Sequence, residues 1–292
     1  MTRLLLTGAS GQLAQALRPE LESLGELIAL DHAGLDLNDP DAIRARLRHH
    51  KPDVVVNAGA YTAVDRAESE PELAFNINAV APGILAEETA RLGAVLIHYS
   101  TDYVFDGQST TPYREEDPTQ PLNVYGETKL AGEEALAAAS ERWTVLRVSW
   151  LYDTRGHNFL QTMLRLAQNH PELRIVDDQI GAPTWVHTVA RATRTVIQAH
   201  LDGSTEASGL YHLPAGGQTT WCRFAQAIFE LAGLEQTPRV VPIPTSDYPT
   251  PAQRPAWSVL SGTRIHQQLG IVLPDWNVQL EEAFATAHDR NT

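Results

Sequence analysis

The chain is predicted to fold as a doubly wound parallel α/β sheet carrying a smaller C-terminal cap. Three observations predict this. Short apolar runs alternate with stretches of helical periodicity through roughly the first half of the chain, a glycine-containing turn separates the first run from the first helix, and past Trp150 this rhythm gives way to helices joined by Pro- and Gly-rich connections. Strand–helix alternation is the pattern of parallel sheets, because each parallel crossover needs a covering element.

Strands are expected at residues 4–8, 27–31, 54–58, 95–101 and 144–150, with helices at 12–24, 40–50, 72–92 and 124–139. Val54-Val55-Val56, apolar throughout, suits a strand covered on both faces. Asn38-Asp39-Pro40 places a capping side chain ahead of a first-turn proline and starts the second helix. In the second half, helices are expected at 158–168, 188–200, 221–231 and 278–287. Six prolines between Pro238 and Pro255 argue against any regular element there. The expected division is 1–150 for the sheet domain and 151–292 for the cap, with about 184–200 packing back on the sheet.

Composition narrows the function. At 292 residues the chain is long enough to bury a large core without metal or disulfide staples. A 43% hydrophobic and 20% charged composition describes a soluble globular protein. A net charge of −14, with no Lys/Arg cluster, excludes nucleic acid and anionic membranes as expected partners. There is no apolar run near the length of a membrane span, and the brief Leu4-Leu5-Leu6 run reads as a first strand, not a signal peptide. The single cysteine, Cys222, excludes a disulfide framework and makes the reducing cytoplasm the expected compartment.

Gly8-Ala9-Ser10-Gly11-Gln12-Leu13-Ala14 lies between the first strand and first helix. Small residues at that turn let the backbone approach a pyrophosphate, and the helix N-terminus offers N–H donors and positive potential. The spacing is G-x-x-G-x-x-A, with Ala14 in the third place. Asp31, about 20 residues past Gly11, stands where a dinucleotide-binding sheet places an acid facing the adenosine ribose. Asp36 and Leu37 follow in a loop suited to the adenine, and Ala60-Tyr61-Thr62 after the third strand is again small and polar. This reading makes the first domain Rossmann-like and NAD(P)-binding.

Tyr125 and Lys129 are spaced i, i+4 and share a helix face. An ammonium near a phenol stabilises the phenolate and makes the tyrosine usable as a proton donor near neutrality. With two lysines and eight tyrosines in the chain, chance places a given lysine four residues after a tyrosine about 3% of the time. Thr101, at the end of the fourth strand, falls where open parallel sheets bind ligands and where a hydroxyl can meet a substrate oxygen shared with Tyr125.

These motifs, together with Ser100-Thr101-Asp102-Tyr103-Val104-Phe105, Pro121-Leu122-Asn123-Val124-Tyr125-Gly126-x-Thr128-Lys129, Arg147-x-Ser149-Trp150, Asp178-Gln179-x-Gly181-Ala182-Pro183-Thr184 and Arg254-Pro255-x-x-Ser258-x-Leu260, cover nearly the whole chain. They resemble the extended short-chain dehydrogenase/reductase superfamily and, within it, the dTDP-4-dehydrorhamnose reductase family. The resemblance implies reduction of a nucleotide-sugar 4-keto group by NADPH or NADH. It implies that Gly8, Gly11, Gln12 and Leu13 bind the cofactor's pyrophosphate side, and that Asp31, Asp36, Leu37, Ala60, Tyr61 and Thr62 line its path. It further implies that Thr101, Asp102 and Trp150 meet the sugar nucleotide, that Tyr125 protonates O4, and that Lys129 holds the nicotinamide ribose and tunes Tyr125. Some relatives dimerise through a magnesium site, whose positions cannot be matched here, so Mg2+ and a homodimer stay open.

Other chemistries fit less well. The eleven histidines include no H-E-x-x-H, and Gln12 stands where a G-x-S-x-G elbow needs its second glycine. Trp221, Trp257 and Trp276 are open between cap core and sugar-stacking surface, and His49-His50 reads as solvated. Two rival classes remain: an epimerase or dehydratase that recycles its own NAD, and a non-catalytic NADP-binding regulatory subunit. Tyr103, where dehydratases tend to carry an acid, weighs against the first, and the intact Thr101/Tyr125/Lys129 set against the second.

Overall fold

The computed structural model describes residues 1–289. Strands β1 (Arg3–Thr7), β2 (Glu26–Leu30), β3 (Val54–Asn57), β4 (Val95–Thr101) and β5 (Trp143–Val148) form one parallel sheet with an edge strand, Gly209–His212, in the order β2-β1-β3-β4-β5-edge. The chain steps from β1 to β2 in one direction, then crosses back to lay β3 on the other side of β1. That reversal opens a crevice beyond the carboxyl ends of β1 and β3, where doubly wound sheets bind ligands.

Both faces of the sheet are covered, which explains the unbroken apolar strands. Leu4, Leu6, Val54, Val56, Val95 and Ile97 face one core with helix α1 (Gln12–Glu22), while Leu5, Val55, Leu96 and Val145 face another with helix α2 (Pro40–His50). Asp39 caps α2 by accepting from the Asp41 and Ala42 amides, and Pro40 sits in its first turn, as the start signal predicts.

The expected helix over 72–92 is interrupted. After α3 (Val64–Ala67) the chain forms α4 (Pro71–Phe75), a π-helical turn over Asn76–Val80 and α5 (Ala81–Leu92). Pro82 brings no N–H to this turn, and the Ala81 amide reaches back five residues to the Asn76 carbonyl. The widened turn presses the Asn78 carbonyl onto Gly132 of α6 (Val124–Ala139), where a Cβ would lie 2.0 Å from the oxygen.

The second half contains α7 (Phe159–Ala167), α8 (Val186–Leu201), α9 (Trp221–Ala232) and later helices over Thr263–Leu269 and Trp276–Asp289. α8 lies on the sheet face beside α1: Arg194 pairs with Glu20, and the Tyr99 hydroxyl of β4 bonds Thr193 at 2.7 Å. The proline-rich stretch does hold a regular element, because Arg239–Ile243 pairs in parallel with Glu172–Val176. This sheet has two strands, so each is an edge, and Pro242 needs no ladder donor on its open side.

A buried ion pair fastens α6 to β5. Arg147 donates from Nε and Nη2 to both oxygens of Glu133, at 2.9 and 2.7 Å, while its guanidinium lies over the Phe105 ring. The fit at Gly132 gives one prediction. Gly132→Ala should lower unfolding stability by about 1–3 kcal/mol through overpacking against Asn78, measured by denaturant unfolding of the full chain.

Candidate active site

A cleft of about 780 Å³ opens at the crevice. Gly8, Gly11, Gln12, Leu13, Asp36, Leu37, Ala60, Thr62, Thr101, Asp102, Tyr125, Lys129 and Trp150 all line it. The structure also brings in residues the sequence reading did not single out as site residues: Ser10, His32, Gly59, Gly156, His157 and Trp221.

The floor is backbone. Gly8 has a φ of 64°, and a Cβ there would lie 2.6 Å from Gly59 Cα, so the loops after β1 and β3 abut with no room for a side chain. No side chain caps α1 at Gly11, which leaves first-turn N–H groups for a ligand. Ala14, in the place of a third glycine, is fully buried in the core and costs the turn nothing. The Gln12 side chain ties this helix to the second half of the chain, donating to the Leu151 carbonyl and accepting from Asn158. A bare backbone cradle, a helix N-terminus and a long cleft fit a dinucleotide.

Two expected contacts fall outside the lining. Asp31 is exposed just past β2; its carboxylate accepts from the Gly34 amide, and its carbonyl from Gly34 and Leu35, which bends the chain so that His32, Asp36 and Leu37 reach the cleft instead. Tyr61 is turned away because Asn78 holds its backbone N–H and C=O and its phenol donates to Glu70 at 2.5 Å.

The polar groups gather at the ends of β4 and α6. Asn123 caps α6 by accepting from the Gly126 amide. The Tyr103 carbonyl packs directly on Gly126, and the Tyr103 ring meets Tyr125 edge-on at 5.8 Å. Burial pushes Tyr125 up to about 12, opposed by a hydrogen bond with Thr101. The expected lowering by Lys129 is therefore not what this arrangement produces: Lys129 Nζ donates to the Tyr99 carbonyl at 2.6 Å and lies 3.3 Å from His98 Nε2. Burial lowers Lys129 to about 8, with Glu133 acting against the fall.

Asp102 is buried at 2% exposure, and burial raises its carboxyl to about 6 against hydrogen bonds from Ser258, Thr101 and Ser149. At the cleft mouth Trp150, with a φ of 47°, stacks on Trp221 of α9 at 3.5 Å and 6°. Trp221 is thus a cleft residue that joins the two halves of the chain. Its role was open in the sequence because stacking partners from different halves leave no local spacing.

The chain matches the family model described as RmlD substrate binding domain over residues 1–288. It is 46% identical to a dTDP-4-dehydrorhamnose reductase of Burkholderia thailandensis, covering 94% of this chain and 95% of that protein. The chain belongs to the dTDP-4-dehydrorhamnose reductase family. A reductase of this family from Escherichia coli K12 is 44% identical, with 97% of this chain and 98% of that protein covered. A solved family member from Bacillus anthracis, in complex with NADP, superposes with a TM-score of 0.91 at 33% identity, covering 98% of this chain and 100% of that one. A UDP-glucose 4-epimerase from Thermus thermophilus, 21% identical with a TM-score of 0.78 and coverage of 98% and 100%, shares the fold. Membership agrees with the Rossmann-like class expected from the strand–helix alternation. Among the described residues, no cluster of three or more His, Cys, Asp or Glu is placed to hold a metal ion, and no helix is long and apolar enough to cross a membrane.

Gly8→Ala should weaken NADPH binding at least about tenfold, because the strained Cβ forces the two loops apart; fluorescence titration with an unchanged far-UV spectrum checks it. For Asp102, the folded value lies above the ordinary 3.8, so its contribution favours folding at low pH and is lost as pH rises through about 6. Asp102→Asn should therefore gain stability relative to the parent chain between pH 4.5 and 7.5, by up to about 3 kcal/mol, read from thermal unfolding at each pH.

Proposed function

We propose that this chain reduces the C4 keto group of dTDP-4-dehydro-β-L-rhamnose to dTDP-L-rhamnose with NADPH or NADH. The observation that carries the reading is Tyr125: a partly buried phenol beside Thr101, in the cleft whose floor is the Gly8–Gly59 backbone cradle. Full-length kinship with the reductases supplies the substrate class.

A reduced nicotinamide bound on that floor supplies the hydride. Tyr125 gives its proton to the C4 oxygen, and its raised pKa does not prevent this, because a developing alkoxide is a far stronger base than a phenolate. Thr101 holds the same oxygen in line, and Lys129, one turn along α6, lines the cleft where it would hold the nicotinamide ribose. Asp102, Trp150 and Trp221 meet the sugar, the carboxylate accepting hydroxyl protons and the stacked rings walling the cleft mouth. We assign residues 1–150 to the cofactor and 151–292 mainly to the sugar nucleotide. The buried, free Cys222 suits the reducing cytoplasm in which we place the reaction.

The main rival, an epimerase, regains its hydride in every cycle. The reductase reading predicts one nicotinamide oxidised for each dTDP-L-rhamnose formed, measured by absorbance against product chromatography; conversion without net cofactor loss overturns it. Tyr125→Phe should cut turnover at least about a hundredfold while leaving cofactor affinity nearly unchanged, checked by steady-state kinetics and NADPH titration.

A further inference from the structure

Behind Lys129 runs a buried line of polar groups that the proposed reaction does not use. The Gly59 amide lies 3.3 Å from Thr7 Oγ1, Thr7 Oγ1 2.6 Å from Asn57 Oδ1, Asn57 Nδ2 3.0 Å from His98 Nδ1, and His98 Nε2 3.3 Å from Lys129 Nζ. Thr7, Asn57, His98 and Lys129 are each 2% exposed or less.

The direction of this line is set at its first link. A backbone N–H can only donate, so Thr7 Oγ1 accepts from Gly59 and its own proton is free to go to Asn57. The Asn57 carbonyl oxygen faces Thr7 and takes that proton, and its NH2 group faces the ring. His98 Nδ1 must accept, and the ring proton of neutral imidazole sits on Nε2, aimed at Lys129. An ammonium has three donors and no acceptor. A neutral amine has a lone pair for this N–H.

We propose that His98 is a positioning residue: the chain Gly59–Thr7–Asn57–His98 presents a hydrogen-bond donor to Lys129, shifts its titration toward the amine form, and leaves its ammonium held by the Tyr99 carbonyl alone on that side. The charged and titratable groups around Lys129 fit this. His98, facing from β4, is pushed well below its ordinary value, first by burial and then by Lys129, and so stays neutral. Glu133, one turn along α6, is committed to Arg147 of β5 through both oxygens. Tyr125, one turn back, is raised and so uncharged at neutral pH. An ammonium formed here is under-satisfied toward the sheet, which directs its protons outward to the cleft.

The inference concerns the lysine of the proposed reductase site but is read without substrate or cofactor, so it stands or falls apart from that reaction. The chain has only Lys51 and Lys129, so carbon-13 labelling of lysine Cε gives two signals, and Lys51→Arg assigns them. In the full-length chain, His98→Phe removes the donor and keeps the burial. The Lys129 titration midpoint should rise by about one pH unit or more. If Nε2 instead accepts from the ammonium, the same substitution lowers the midpoint; a fall, or no movement, overturns the proposal. Should that variant fail to fold, the unsubstituted protein decides. The nitrogen-15 shifts of the His98 ring, assigned through its own Cβ, should show Nε2 protonated and Nδ1 bare, and the opposite tautomer overturns it.

Discussion

The contact between the loops that follow β1 and β3 is the constraint on which the rest of the molecule depends. With Gly8 in the left-handed region and its missing Cβ replaced by Gly59 Cα, two neighbouring parallel strands end in backbone laid against backbone. That closeness makes a floor of amide groups, and it places the Gly59 N–H over Thr7. The same glycine pair thus shapes the ligand surface on one side and orients the first link of a buried hydrogen-bond line on the other. Sheet order supplies the reason: the chain reverses direction across β1, and the crevice that admits a ligand opens beyond these two touching loops.

Polar groups in this interior are arranged by obligatory donors. Arg147 can only donate, so His212 Nε2 accepts at 3.3 Å and its Nδ1 proton goes to the Tyr113 carbonyl at 3.0 Å. His98 is held the opposite way round, with its Nδ1 accepting from Asn57. Two buried histidines on the strands that flank β5 thus carry opposite tautomers. Breaking the Arg147–Glu133 pair on one side would leave a charge stranded in apolar surroundings, a loss of the order of 3–5 kcal/mol. The cost falls on α6, the helix that carries Tyr125 and Lys129.

Much of this was legible in the sequence because it is local. The five parallel strands, the cap on α2 and the Tyr125/Lys129 spacing each depend on residues within a few positions of one another. What escaped depends on distant partners. The π-turn over Asn76–Val80 needs Pro82 read together with the tight fit at Gly132. The strand Arg239–Ile243 needs Glu172–Val176 beside it before its prolines become tolerable. Trp221 gains meaning only when Trp150, from the other half of the chain, lies flat against it.

The backbone at Trp150 has a consequence for anyone reading substitutions there. A large side chain at φ 47° sits in a conformation that costs roughly 1–2 kcal/mol for an L-residue. Truncating Trp150 to glycine would therefore delete the indole and relax the main chain in one step, and the two changes act on stability with opposite sign. A variant that melts no earlier than its parent could still have lost the whole aromatic wall. At this position thermal tolerance does not report whether the stack on Trp221 is intact.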